Sequence, residues 1–323
     1  FSDMDILLLI LGLALILGGA NFLTDGSAAV AKRFRVPEFI IGLTVIAVGT
    51  STPELVVSVL SAIADKSDVA IGNVVGSNIF NVFVIVGICA LIRPLPLSSG
   101  NIRRDIPFGM FGSLLLFIVA CDRMLGLGDA DRIGRVEGIC MFLLYVWLMI
   151  YSVRHIERPA VSASRDVPDA EPPVRLWLAA VMIVGGLAAL VGGGELFLDS
   201  ATHIARRLGV SESVIAITLV AGGTSLPELA SSVVSLVKGR AEMALGNVLG
   251  SNIANILLIL GVSATIHPLS LGGITIVDIA MVVLSSVVLF VAAFTFRRRA
   301  IDRIEGAAFL VVYIAYIVYL LSK

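Results

Sequence analysis

The chain matches itself. Displaced by 174 positions, Gly12–Leu97 falls on Gly186–Leu271 without a gap, with 38 identities in 86 positions. Similarity of that density marks one structural unit used twice. The unit is apolar. Hydrophobic blocks run at about 4–24, 38–64, 69–92, 106–121, 134–153, 175–198, 212–237, 242–266, 275–296 and 304–321. Most have the roughly 20 residues needed to cross a bilayer core about 30 Å thick, and the fourth is the shortest. Each half therefore holds five spans. An odd number means that the second half enters the membrane from the opposite face. The sequence predicts an all-α membrane protein whose ten transmembrane helices form two inverted five-helix repeats. Its divisions are residues 1–153, a linker at 154–174, and residues 175–323. The densest identity lies at 38–92 and 212–266.

Composition narrows the alternatives. The chain is 58% hydrophobic and 15% charged, with a mean hydropathy of +1.02. Soluble domains run about 45–50% apolar and about 25% charged, so a soluble enzyme or a disordered chain is excluded. A net charge of −1 gives no electrostatic footprint for nucleic acid. Strict alternation over segments of about ten residues, the mark of a membrane β-barrel, does not occur. The three cysteines (Cys89, Cys121, Cys140) are an odd number on or near apolar segments, so no disulfide framework is expected. The first block lacks a basic leader and follows Asp3 and Asp5, so it reads as a span and not a removable signal peptide. Phe1 in place of an initiator methionine reads as a trimmed start.

Lys and Arg set the orientation. Ten spans put both termini on one side. That side carries 7 of the 23 basic residues and the opposite side 16, with Arg297, Arg298 and Arg299 in its last loop. Basic loops stay in the cytoplasm, so both termini are expected outside and the linker inside. The linker contains Pro159, Pro168, Pro172 and Pro173 and is too short for a folded regulatory domain. Gly126-Leu127-Gly128-Asp129 resembles the GxGD of intramembrane aspartyl proteases but lies in a loop, without a second membrane Asp as partner. It reads as a turn.

The chemistry lies where the two halves agree best. Gly49-Thr50-Ser51-Thr52-Pro53-Glu54-Leu55 in span 2 pairs with Gly223-Thr224-Ser225-Leu226-Pro227-Glu228-Leu229 in span 7. Gly72-Asn73 through Gly76-Ser77-Asn78 to Asn81 pairs with Gly246-Asn247 through Gly250-Ser251-Asn252 to Asn255. Glu54 and Glu228 fall near mid-membrane, where an acid costs roughly 2.5–3.5 kcal/mol on insertion scales. A matched pair needs a compensating partner, and a cation supplies it. Thr50 and Glu54 are four residues apart on one helical face, as are Ser77 and Asn81, and the second half repeats both pairs as Thr224/Glu228 and Ser251/Asn255. Pro53 and Pro227 lack an N–H and crowd the carbonyls of Gly49 and Gly223, so both helices are expected to break there. At that depth freed carbonyls are tolerated only in protein or facing a cavity. Every donor is oxygen, with neither Cys nor His in the motifs, so the pattern selects a hard cation such as Ca²⁺ or Na⁺ over zinc, copper or iron. Gly72-xxx-Gly76 and Gly246-xxx-Gly250 permit close helix packing. Asn73, Asn78, Asn247 and Asn252 are read mainly as interhelical hydrogen-bonding groups. Asp25 and Asp199 also match, but lie at span ends, where interfacial solvation is the simpler reading and a role at the ion entrance the alternative. The chain has no HExxH and no membrane Ser–His pair, so an enzyme is not expected. A channel would need a continuous pore, whereas one chain here encloses a pseudo-symmetric site, so a monomer suffices.

These motifs, present twice, resemble the α-repeats of the sodium/calcium exchangers in the cation/calcium antiporter superfamily, and the likeness covers nearly the whole chain. It is similar to a compact prokaryotic member. The resemblance implies a secondary active antiporter that exchanges Na⁺ for Ca²⁺ in a bacterial or archaeal inner membrane, with no resident cofactor and with the two ions and the lipid bilayer as its partners. It implies that Ca²⁺ is held by the carboxylates of Glu54 and Glu228 and the backbone carbonyls of Thr50 and Thr224. Na⁺ would share the glutamates and use Ala47, Ser51 and Ser77 with Ala221, Ser225 and Ser251, while Asn81 and Asn255 flank the central position. Shared carboxylates make the two ions competitive. It further implies that spans 1 and 6 slide against the other helices, and their glycines (Gly12, Gly18, Gly19; Gly185, Gly186, Gly192, Gly193, Gly194) suit a sliding face. Potassium-dependent relatives carry Asp where this chain has Asn255, which argues against potassium co-transport. The Thr50-Ser51 and Thr224-Ser225 hydroxyl pairs favour Na⁺ as the driver. The alternative is an H⁺/Ca²⁺ or broader divalent-cation antiporter.

Overall fold

The computed structural model describes residues 3–126, 131–155, 174–209, 221–295 and 299–322. The Leu127–Ala130 part of the GxGD turn, most of the linker, the start of the predicted seventh span, and Arg297 and Arg298 lie outside them. Gly126 ends a short turn of helix in the left-handed conformation, with φ +70°.

Helices dominate. They are α1 (Asp3–Phe34), α2 (Glu38–Thr50), α3 (Thr52–Ile63), α4 (Ser67–Ile92), α5 (Ile106–Ala120) and α6 (Arg135–Arg154) in the first half. The second half has α7 (Leu176–Arg207), α8 (Leu226–Val237), α9 (Ala241–Ile266), α10 (Ile276–Ala292) and α11 (Arg303–Ser322). Among the described residues, six helices are long and apolar enough to cross a membrane, and α2 with α3 makes a seventh as a pair bent by 46°. The polar π-helical turn Asn101–Asp105 runs straight into α5 and lengthens the short fourth block.

Two short antiparallel pairs tie the loops together. β1 (Leu95–Pro96) pairs with β4 (Ala300–Ile301), and β2 (Arg132–Ile133) pairs with β3 (Leu269–Ser270). The loop after α4 is thus joined to the loop before α11. The loop before α6 is joined to the one after α9.

Two helices differ from the hydropathy reading. The first and sixth blocks end near 24 and 198, yet α1 runs on to Phe34 and α7 to Arg207, so each helix is 32 residues long, about 48 Å at 1.5 Å per residue. Hydropathy marks where the bilayer ends. The polar tails beyond it, closed by Lys32 and Arg33 in α1 and by Arg206 and Arg207 in α7, keep the helical hydrogen bonds and complement the carboxyl-terminal dipole.

Close backbone approaches organise the packing. A Cβ placed on Gly12 would lie 2.7 Å from Phe197 N, and one on Gly19 2.7 Å from Gly186 O. In return, a Cβ on Gly186 would lie 2.7 Å from Leu23 N and one on Gly193 2.9 Å from Gly12 O. These four glycines, spaced by seven in each helix, seat α1 and α7 against one another. They do not form the face turned to the remaining helices that the sliding picture assigned to them. Gly18, Gly185 and Gly192 have no side chain or backbone within 4 Å of an added Cβ among the described residues.

Of the six long apolar helices among the described residues, α9 is the most enclosed, with 78% of its apolar window buried. A Cβ on Gly246 would overlap the Phe39 carbonyl, and one on Gly250 would overlap that of Leu43. Gly72 faces Ile274 instead. The positions related to Phe39 and Leu43 by the 174-residue shift are Ser213 and Ile217, which lie outside the described residues. Overpacking a core costs about 1–3 kcal/mol when side chains can yield. At Gly246 the obstacle is backbone. Gly246→Val is expected to lower the melting temperature in detergent by about ten degrees, on the scale of ~2–4 °C per kcal/mol for larger domains, whereas Gly18→Val leaves it unchanged.

Candidate functional site

Both breaks sit one residue beyond the Thr that the two repeats share. Ser51 (φ −81°, ψ 9°) leaves the helical region between α2 and α3, and Ser225 (φ −89°, ψ 6°) does so before α8. Pro53 and Pro227 fall in the first turn of the new helix, where a missing N–H costs nothing. Glu54 and Glu228 fall in the same turn. Each acid therefore sits at the positive end of a helix dipole as well as deep in apolar surroundings. Glu54 is 0% and Glu228 1% exposed.

The two breaks are joined crosswise. Ser51 Oγ donates to Glu228 Oε1 at 2.9 Å, and Ser225 Oγ donates to Glu54 Oε1 at 3.3 Å. Ser77, on α4, donates to the same Glu54 oxygen at 3.5 Å. The Ser51 and Ser225 hydroxyls thus each serve the carboxylate of the other half, and Ser77 serves that of its own. The second carboxylate oxygen, Oε2, of both glutamates is buried without a hydrogen-bond partner. So are Ser251 Oγ, Asn81 Oδ1 and both polar atoms of Asn255. Buried polar atoms are nearly always paired. Asn255 Nδ2 is a donor, but the two carboxylate oxygens, the hydroxyl and the amide oxygens are hard acceptors of the kind Ca²⁺ or Na⁺ takes.

The remaining expected residues differ in what they face. Thr50 Oγ1 lies 3.0 Å from Ile46 O and 3.2 Å from Asn247 Oδ1, and Thr224 Oγ1 donates to Asn73 Oδ1 at 3.3 Å. Ala47 O accepts the Ser51 N–H at 3.0 Å. Asn81 Nδ2 donates to Asn252 Oδ1 at 3.0 Å. Ala221 opens the short helical turn Ala221–Gly223, and its side chain lies outside the described set. π-helical turns begin at Asn81 and at Ala254, beside Asn255. Such turns release backbone groups from the regular ladder and recur at functional sites. Asn73 and Asn247 make the interhelical hydrogen bonds expected of them, and their partners are the glutamate main chain of their own half and the threonine of the other.

The long helix pair contacts the breaks unequally. On α7, Leu187 sits against Gly49 and Leu198 against Gly223, each 2.6 Å from an added Cβ. On α1, Thr24 and Ser235 of α8 hydrogen-bond at 3.1 Å, and Asp25 pairs with Lys238 at 2.8 Å. The shift-related positions are Leu198, Ser61, Asp199 and Ala64. Asp199 is exposed, and Ala64 offers it no charge. The matched acids therefore diverge: Asp25 ties α1 to α8 and Asp199 faces outward.

Long apolar helices around a buried, carboxylate-centred acceptor shell define a multi-pass membrane carrier for hard cations. Comparison with known proteins agrees. The sodium/calcium exchanger protein family model matches residues 4–154 and 178–322, and the chain belongs to that family. It is 33% identical to the sodium/calcium exchanger MaX1 of Methanosarcina acetivorans, over 98% of each chain. It is 34% identical to the inner membrane protein YrbG of Escherichia coli, over 81% of this chain and 79% of that one. Among solved structures it is similar to the sodium-calcium exchanger NCX_Mj soaked with Na⁺ and Ca²⁺, with a TM-score of 0.83, 30% identity, and coverage of 98% of this chain and 99% of that one. Family members are exchangers, not enzymes.

Proposed function

We propose that this chain is a secondary active antiporter that exchanges Na⁺ for Ca²⁺ by alternating access at one mid-membrane site. The observation that carries the reading is the crossed arrangement of Glu54 and Glu228, each hydrogen-bonded from the opposite half and each with Oε2 unpartnered. Ca²⁺ takes the two carboxylates, which balance its charge, with carbonyls of Thr50 and Thr224. Na⁺ competes for the same carboxylates with Ser51, Ser77, Ser225, Ser251, Ala47 and Ala221, and Asn81 and Asn255 flank the centre. The site changes sides only when its acids are neutralised, by one Ca²⁺ or by several Na⁺.

The frame for this is ten spans in two inverted repeats, residues 1–153 and 175–323 about a cytoplasmic linker, with both termini outside. Two features support it. The 174-residue self-match relates the two sets of site residues. The β1–β4 pair joins two loops on the basic side, and the β2–β3 pair joins two loops on the other, as that topology requires. The Thr-Ser hydroxyls at both breaks favour Na⁺ over H⁺ as the coupled ion, in a prokaryotic inner membrane.

The test is ⁴⁵Ca²⁺ uptake into proteoliposomes loaded with Na⁺, compared with K⁺ loading and with an imposed pH gradient. Uptake is expected with the outward Na⁺ gradient alone. Uptake that follows the pH gradient and ignores Na⁺ would move the chain to H⁺/Ca²⁺ exchange.

A further inference from the structure

Asn73 and Asn247 each join the two halves of the site. Asn247 Nδ2 lies 3.3 Å from Glu228 O and 2.9 Å from both Ser231 Oγ and Ser232 Oγ, while its Oδ1 accepts from Thr50 Oγ1. Asn73 Nδ2 donates to Glu54 O at 3.2 Å and to Ser58 Oγ at 3.0 Å, while its Oδ1 accepts from Thr224 Oγ1 at 3.3 Å. Ser58 and Ser232 are themselves shift-related. The same node is thus built twice, and in each case it crosses from one half to the other. The amide nitrogen holds the main chain of its own half's glutamate. The amide oxygen holds the threonine of the opposite half.

We propose that Asn73 and Asn247 are positioning residues that set the two carboxylates and the two Thr-bearing breaks at one spacing, and so tune ion affinity without touching the ion. This rests on the exchange function proposed above. The chemistry follows from the amide. Asparagine alone among small neutral side chains offers a donor and an acceptor on opposite sides of one rigid plane. A serine carries its donor and its acceptors on one oxygen of a shorter side chain, so it does not span partners on two helices. An aspartate would accept from threonine but lose the donor to the glutamate carbonyl. The bonds also explain why Thr50 and Thr224 are threonines next to serines. Their hydroxyls face the asparagines, which leaves the neighbouring Ser51 and Ser225 hydroxyls for the carboxylates.

The experiment is a double-mutant cycle on Asn73→Ala and Thr224→Val, read as the half-saturating Ca²⁺ concentration in proteoliposomes. Melting temperature and gel-filtration profile are recorded beside it. Asn73→Ala is expected to raise half-saturation about tenfold, with the maximal rate falling less than threefold. Thr224→Val, which keeps the side-chain shape, is expected to raise it by several fold. The double variant is expected to be no worse than Asn73→Ala, because the threonine acts through the asparagine. Asn73→Asp, of the same shape, is expected to show the same rise, and it decides the matter where the alanine variant does not fold. Folded Asn73 variants with wild-type half-saturation, or effects that multiply in the double variant, would overturn the proposal. Wild-type protein runs in every arm. Its failure to take up Ca²⁺ would sink the exchange function itself, whereas active wild type with unmoved variants would sink only the asparagine roles.

Discussion

Glu54→Gln and Glu228→Gln are each expected to cut Na⁺-driven Ca²⁺ uptake about 100-fold or more, with the protein still folded. The cause is electrostatic. A carboxylate and a divalent cation at about 3 Å attract by ~11 kcal/mol even at an effective dielectric of 20, and desolvation of both offsets much of that. A residual loss of about 2.7 kcal/mol already makes a factor of 100. Glutamine preserves shape and one oxygen, and it lowers the cost of burial in the absence of ions. Thermal stability without Ca²⁺ is therefore expected to hold or rise, while stabilisation by added Ca²⁺ disappears. The two losses separate a ligand from a packing group. A glutamine variant that melts lower yet transports normally would place the ion elsewhere.

Glu54 and Glu228 were legible because a charge inside an apolar block stands out, and the 174-residue match doubled the signal. The predominantly helical architecture followed from block length. Other features were not legible, for reasons that differ. The crossing of Ser51 to Glu228 and of Ser225 to Glu54 depends on how the halves face each other, and a one-dimensional repeat does not carry that. The same holds for Asn73 and Asn247, whose partners lie up to 197 residues away. The ends of α1 and α7 were placed too early because hydropathy reports solvent and not helix. The glycines of spans 1 and 6 stood out in the sequence, but a sequence does not name the surface they meet. Four of them meet each other's helix, which makes α1 and α7 a unit. Finally, Asp25 and Asp199 looked equivalent. What separates them is that Asp25 meets Lys238 whereas Asp199 is exposed and the position matching Lys238 is Ala64, and that comparison needs to know that α1 lies along α8.

That inequality leads to the second large effect. A Thr24→Cys, Ser235→Cys pair is expected to stop exchange when oxidised and to recover it on reduction. The wild-type hydroxyls are 3.1 Å apart and both residues are buried, so the thiols are placed to meet. Disulfides tolerate Cα separations of about 4.4–6.8 Å. Of the native cysteines, Cys89 and Cys121 are buried and Cys140 is exposed, so Cys140→Ser removes the competing thiol. In the exchange proposed above α1 moves relative to α8 as access alternates, and a bond there holds the two helices in their present arrangement. The contrasting link lies within the glycine-seamed pair. Asp5 of α1 and Arg207 of α7 pair at 3.2 Å at the opposite end of α1. A flexible bis-maleimide joining Asp5→Cys to Arg207→Cys is expected to leave exchange within about twofold, since helices that approach through backbone move together. Block by both links would mean that α1 and α7 slide on each other. Block by neither would remove α1 from the moving parts. The surface ion pair Asp25–Lys238 is worth about 0–1 kcal/mol, so Lys238→Ala shifts the balance between access states only a few fold, whereas the covalent link removes one state altogether.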